Sequence, residues 1–136
     1  MIDMTLDMAE RAVRAAQDKA RQLKAPMTVT VVDEAGRLVL SARGDGTGFF
    51  TPETSRAKAV AAAAFRMTTA DMADRIAKGA VFFTVAPTVL GGQALPSHGG
   101  APIVVGGRVI GGIGCGGGTG EQDHECAVAG AAAAGG

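Results

Sequence analysis

Apolar residues recur at helical spacing near the start of the chain. Leu6, Ala9, Val13, Ala16, Ala20 and Leu23 define one stripe, with Thr5 placed to cap it and Pro26 to end it. The period then falls to two. Val29 and Val31 alternate with Thr28 and Thr30, which predicts a half-buried strand over residues 27–32. Asp33-Glu34-Ala35-Gly36 is a turn signal, and residues 37–42 form the predicted return strand of a hairpin. Residues 43–48 read as a loop. Thr51-Pro52-Glu53 opens a second helix, with Pro52 at a first-turn position where its missing N–H costs nothing, and the helix runs through Lys58 and the alanines to Phe65. Thr68 or Thr69 caps a third helix that reaches Lys78 and stops at Gly79.

Residues 81–85, Val-Phe-Phe-Thr-Val, predict a strand or a buried loop. Pro87, Pro96 and glycines at 91, 92, 99 and 100 then predict an irregular segment folded over the sheet. The closing stretch is more regular. Pro102-Ile103-Val104-Val105 is a β-branched run, and Gly106-Gly107 suits a type I′ turn, in which both central residues have positive φ. Val109-Ile110-Gly111-Gly112-Ile113-Gly114 is a strand with almost no side-chain bulk, a sign of close approach by another backbone or a ligand. Thr119 to Gln122 starts a last, small-residue helix whose first turn carries Glu121 and Asp123. So bare a strand running into a helix N-terminus predicts a cavity that something must fill. The order is α-β-β-α-α-loop-β-β-α, which predicts an α+β fold with helices packed on an antiparallel sheet, in a single domain over residues 1–136.

Composition narrows the function classes. Thirteen basic and thirteen acidic residues cancel, so no cationic excess exists to neutralise nucleic-acid phosphates. Near-zero charge is compatible with self-association into a homo-oligomer. Hydrophobic residues make up 47% of the chain, much of it alanine, which predicts a closely packed core. No apolar run reaches the roughly 18 residues of a membrane span, and no secretory signal is evident. Cys115 and Cys126, one in a glycine strand and one on a helix, are expected as free thiols in a reducing cytoplasm.

Candidate chemistry is scattered. The loop at 43–50 holds Arg43, Asp45 and the adjacent Phe49 and Phe50, a pair costly to expose together. Lys58 sits within an otherwise apolar helix; it is either a solvated residue or a stem crossing apolar surface to bring its ammonium to a ligand carboxylate. His98, in a glycine- and proline-rich loop, suits a general acid or base or an axial haem ligand. Asp123, His124 and Cys126 suggest a metal, but Asp123 and His124 diverge as helix neighbours and no paired ligand motif occurs, so none is expected. Cys115, near backbone amides and a helix N-terminus, is either incidental or a thiol with a lowered pKa.

The pattern GG-A-PI, then G-x-VIGGIG, then TGEQD ahead of an alanine-rich helix resembles the GlcG/HbpS-like family of small α/β proteins. The resemblance extends to the opening helix, the TVTVVDEAGRLVL hairpin and Ser55-Arg56-Ala57-Lys58-Ala59. The element order, for its part, gives an architecture reminiscent, by analogy, of PAS or profilin-like folds. Asp45-Gly46 matches the acid–glycine pair that borders the family's ligand cleft, and Lys58-Ala59 matches its lysine–alanine pair. Cys115 departs from the small residue, valine or serine, common there. The ligand implied is haem or a related tetrapyrrole, or a small carboxylate-bearing metabolite, framed by Arg43, Asp45, Phe49, Phe50, Lys58, His98 and Gly114.

Three functions follow as expectations. The first is an oligomeric haem- or small-ligand-binding protein. The second is an enzyme of a catabolic pathway acting on a small unsaturated acid or ring-cleavage product, by hydrolysis, deamination or isomerisation, through Asp45, Lys58 and His98 or Cys115. The third is a structural partner domain.

Overall fold

The computed structural model describes residues 3–135. The elements run α1 (Leu6–Leu23), β1 (Thr28–Asp33), β2 (Leu38–Ala42), α2 (Thr51–Phe65), α3 (Thr69–Ala77), α4 (Val81–Val89), β3 (Gly100–Val105), β4 (Arg108–Gly116) and α5 (Gly120–Ala134). The four strands form one antiparallel sheet in the order β2-β1-β4-β3. Thr5 caps α1, with its hydroxyl accepting from the Met8 N–H at 3.1 Å, and Gly106 and Gly107 both take positive φ in the closing hairpin.

Helices cover both faces of the sheet. On one face α1 and α5 bury Val29, Val31, Ile103, Ile113 and Cys115 in the main core. On the other face lies α2. Residues 28 and 30 therefore face α2 and not water, and the half-buried strand expected for β1 is buried on both sides. Their hydroxyls remain satisfied. Thr28 Oγ1 lies 2.8 Å from Thr51 Oγ1, and Thr30 Oγ1 lies 2.7 Å from Ser55 Oγ. Paired in this way, buried hydroxyls escape the cost of desolvation without a partner.

The bare strand has a structural explanation. Gly112 and Gly114 of β4 face α2, and a Cβ on either would collide with a backbone carbonyl oxygen, that of Ala59 or of Ser55. On β3, a Cβ at Gly100 would stand 2.5 Å from the Lys58 carbonyl oxygen. The expected cavity is thus filled by the backbone of α2, whose own inward residues Thr51, Ser55, Ala59 and Ala63 are small. Gly114, expected beside a ligand, instead sets how closely helix and sheet approach.

Residues 81–89 are a further departure, a helix where a strand or buried loop was expected. The β-branched composition pointed to a strand. The packing that overrides it is aromatic: Phe83 meets Phe65 of α2 edge-to-face at 5.5 Å, and Ala86 is buried. Pro87 lies inside this helix, where it can offer no N–H to the carbonyl four residues back.

Candidate functional site: a cleft floored by a buried ion pair

A cleft of about 300 Å³ opens where the start of α2, the end of β4 and the start of α5 converge. Phe50, Thr51 and Thr54 form one side, Leu95 and Ser97 another, and Gly116 to Gly118 a third. Lys58 and Asp123 lie on its floor. The Lys58 ammonium donates to Asp123 Oδ2 at 3.1 Å and to the Cys115 carbonyl oxygen at 2.9 Å. The other carboxylate oxygen, Oδ1, accepts from the Gly118 N–H at 2.9 Å. Both side chains are buried, with exposures of 8% and 6%.

Local structure explains the arrangement. Lys58 projects from α2 toward the end of β4, where the missing side chain of Gly99 leaves room for its ammonium. Asp123 is held in the first turn of α5 by a reciprocal cap: Thr119 Oγ1 accepts from the Gln122 N–H at 3.2 Å, while Gln122 Oε1 accepts from the Thr119 N–H at 2.9 Å. Gly99, at φ +123°, closes over the pair; a Cβ there would stand 3.1 Å from Lys58 Nζ and 2.9 Å from Asp123 Cβ. Burial pushes the Asp123 carboxyl above its ordinary value, opposed by the Lys58 charge and the Gly118 hydrogen bond.

An ammonium carries three N–H donors. Among the described residues, Asp123 and Cys115 take two of Lys58's. The third is left at the floor of an open cleft. Such an arrangement can hold a ligand carboxylate by a charge-assisted hydrogen bond in a partly desolvated setting.

The residues singled out from the sequence separate in space. Lys58 and Phe50 line the cleft. Phe49 is exposed and meets Phe50 edge-to-face at 5.7 Å. Ser97 stands on the rim and the exposed His98 follows it; the His98 ring lies 6.5 Å from that of His124, whose buried Nδ1 has no hydrogen-bond partner among the described residues. Arg43 and Asp45 line a different hollow of about 280 Å³, with Gln17 and Arg21 of α1. Cys115 reaches the cleft only through its carbonyl. Its side chain belongs to the core against α1 and α5, and burial pushes the thiol well above its ordinary value. Of the two readings of Cys115, the thiol with a lowered pKa is the one not found, chiefly because the side chain is buried. Cys126 is likewise raised, to about 11, chiefly by burial.

Sequence reasoning missed Asp123 as the partner of Lys58, along with Thr51, Thr54, Ser97 and Gly118. One signal was available: a lysine within a helix that packs on a sheet must find an acid. Which acid it finds depends on tertiary structure, since the two lie 65 positions apart.

Sheet, helical layers and floored cleft together define a small α+β domain with an open cleft above a buried ion pair. A family model described as haem degrading protein HbpS-like matches residues 4–132. Protein GlcG of Escherichia coli strain K12 is 31% identical over 111 residues, which cover 82% of this chain and 79% of that one. A crystal structure of HbpS superposes with a TM-score of 0.86 at 32% identity, covering 97% of this chain and 90% of the other. A crystal structure of a PduOC:heme complex gives a TM-score of 0.86 at 29% identity, over 97% and 95%. This chain belongs to the HbpS-like family.

Proposed function

We propose that this protein binds haem or a related tetrapyrrole through the cleft above Lys58 and Asp123, and that it works as a homo-oligomer in the cytoplasm. The observation that carries the reading is the unspent N–H of the buried Lys58 ammonium at the cleft floor. A tetrapyrrole of the haem type presents propionate carboxylates at one edge and an apolar ring elsewhere. The residues present fit such a group: Lys58 would hold a carboxylate, Phe50 and Leu95 would meet the ring, and the exposed His98 imidazole, next in sequence to the rim residue Ser97, would supply a nitrogen ligand to iron. The cleft is at the small end of ligand pockets, so it takes the carboxylate-bearing edge and not the whole ring. The haem bound by the PduOC relative supports the same reading.

When bound, haem supplies an iron centre whose behaviour its axial ligand sets. The protein's part is to bind and orient. Asp123 fixes the Lys58 ammonium, Lys58 fixes the carboxylate, and the Gly118 N–H keeps Asp123 in place. A second reading, an enzyme acting on a small unsaturated carboxylic acid, is favoured by the convergence of Lys58, Asp123 and the Thr54 hydroxyl on one cleft.

Titration with haemin, followed at the Soret band, tests the first reading. We expect a saturable 1:1 band that shifts in His98→Ala and weakens in Phe50→Ala. Non-saturating uptake, equal in wild type and both variants, would overturn it. Turnover of unsaturated acids without haem would favour the second.

A further inference from the structure

We infer that the outer face of α4 is the contact between two copies of this chain, packed about a two-fold axis. This deepens the homo-oligomer part of the proposed function and rests on it.

Most large apolar side chains here are buried or stand alone at the surface. α4 is different. Val81, Phe82 and Val89 are 72%, 61% and 77% exposed, and Val85 and Leu90 beside them are also exposed. With Phe65 and Ala86 they line an open groove of about 370 Å³. These exposures amount to on the order of 500 Å² of contiguous apolar surface, the upper end of what a monomer carries without a use for it. Helix α4 is held from one side only, by α3 and by the rings of Phe82 and Phe83 against Phe65.

Two observations select a second copy as the occupant. First, area: doubling such a patch about a two-fold axis buries on the order of 1,000 Å², the threshold for a specific interface. Second, charge: no ionisable residue occurs from Gly79 to Ser97, so the patch carries no charge to repel its own image. The neighbouring α3 carries both signs, with Asp71 and Asp74 beside Arg75 and Lys78 at its C-terminal end. A rim of mixed sign is self-complementary, whereas a charged partner would be met by a rim of one sign. The shape also suits a pair. Val81, Val85 and Val89 recur at i+4 and form one ridge, flanked by the groove that receives a matching ridge from the other copy.

The test uses the full chain. Sedimentation velocity would be run at micromolar concentration on wild type, on Val85→Glu and on Val128→Glu, an exposed apolar position on α5. Far-UV circular dichroism would establish that each is folded. We expect wild type and Val128→Glu to share one assembled stoichiometry and Val85→Glu to fall to a smaller species. On mild oxidation, a Thr88→Cys variant should form a disulfide-linked dimer, since both native thiols are buried. If wild type is assembled and Val85→Glu assembles identically, the α4 contact is overturned while the oligomer reading stands. If wild type is monomeric, both are overturned. Monomers that float with phosphatidylcholine vesicles would identify a lipid surface as the occupant instead.

Discussion

Replacing Lys58 with methionine keeps most of the length and the apolar stem of the side chain but removes its charge. Asp123 would then be left buried at 6% exposure, with the Gly118 N–H its single remaining described partner. Breaking one half of a buried pair costs about 3–5 kcal/mol, because the survivor stays desolvated. For a domain of this size that is a large part of a total stability of about 5–15 kcal/mol. It corresponds to a drop in Tm of roughly 10–20 °C. The double variant Lys58→Met/Asp123→Asn leaves no charge, and the carbonyl of the introduced amide still accepts from the Gly118 N–H. Its loss should be about 1–2 kcal/mol, smaller than that of Lys58→Met alone. Urea unfolding of the two single variants and the double gives the coupling directly. The sign with pH follows from the raised Asp123 carboxyl. A carboxyl whose folded pKa lies above its unfolded value stabilises the folded state at low pH, and that contribution is lost as pH rises from the unfolded value through the folded one. The Lys58→Met deficit should therefore shrink on acidification. If the double variant loses the sum of the single losses, independent of pH, the two side chains are not a coupled buried pair.

Three further outcomes can be measured. Gly114→Ala should cost about 3 kcal/mol or more by driving α2 off the sheet, while Gly106→Asn in the exposed turn should cost less than about 1 kcal/mol; thermal melts of both would compare them. Burial tends to raise the Asp33 carboxyl, but hydrogen bonds from Arg37 and the Ala35 N–H outweigh it, so its pKa lies below the ordinary value. That stability is present above the unfolded pKa and lost as pH falls through the folded one, so Asp33→Asn should flatten the acid limb of a stability–pH curve. Both thiols should react with a disulfide reagent at neutral pH no faster than the protein unfolds, since Cys115 and Cys126 are buried and held protonated.

Local signals located most of the fold. The helical stripe of α1, the Thr5 and Thr119 caps, and the paired glycines at 106 and 107 each act within a few residues, and each element formed where its signal stood. What was not legible depends on contacts between distant residues. Thr28 and Thr30 are polar, yet they are buried because Thr51 and Ser55 arrive on α2 with matching hydroxyls. The glycines of β4 signalled close approach, but the sequence does not say whether a ligand or a helix approaches. For α4, the valines at 81, 85 and 89 were a helical period within a composition that favours strands, and the period proved the better guide.

The site divides in the same way. Lys58 was conspicuous as a cation set directly before a run of alanines, with Arg56 two positions earlier. Its partner was not, and neither was the separation of Arg43 and Asp45 into another hollow, which follows from where the loop leaves β2.

Calorimetric comparison of haem with its dimethyl ester, both binding to the wild-type protein, tests the central claim most directly. The ester keeps the ring and the iron but has no carboxylate for Lys58. A charge-assisted hydrogen bond in a partly buried site contributes about 1.5–3 kcal/mol, so the account predicts binding weaker by roughly 10- to 100-fold. Equal affinity for the two would contradict it, and would mean that Lys58 and Asp123 serve the fold and not the ligand.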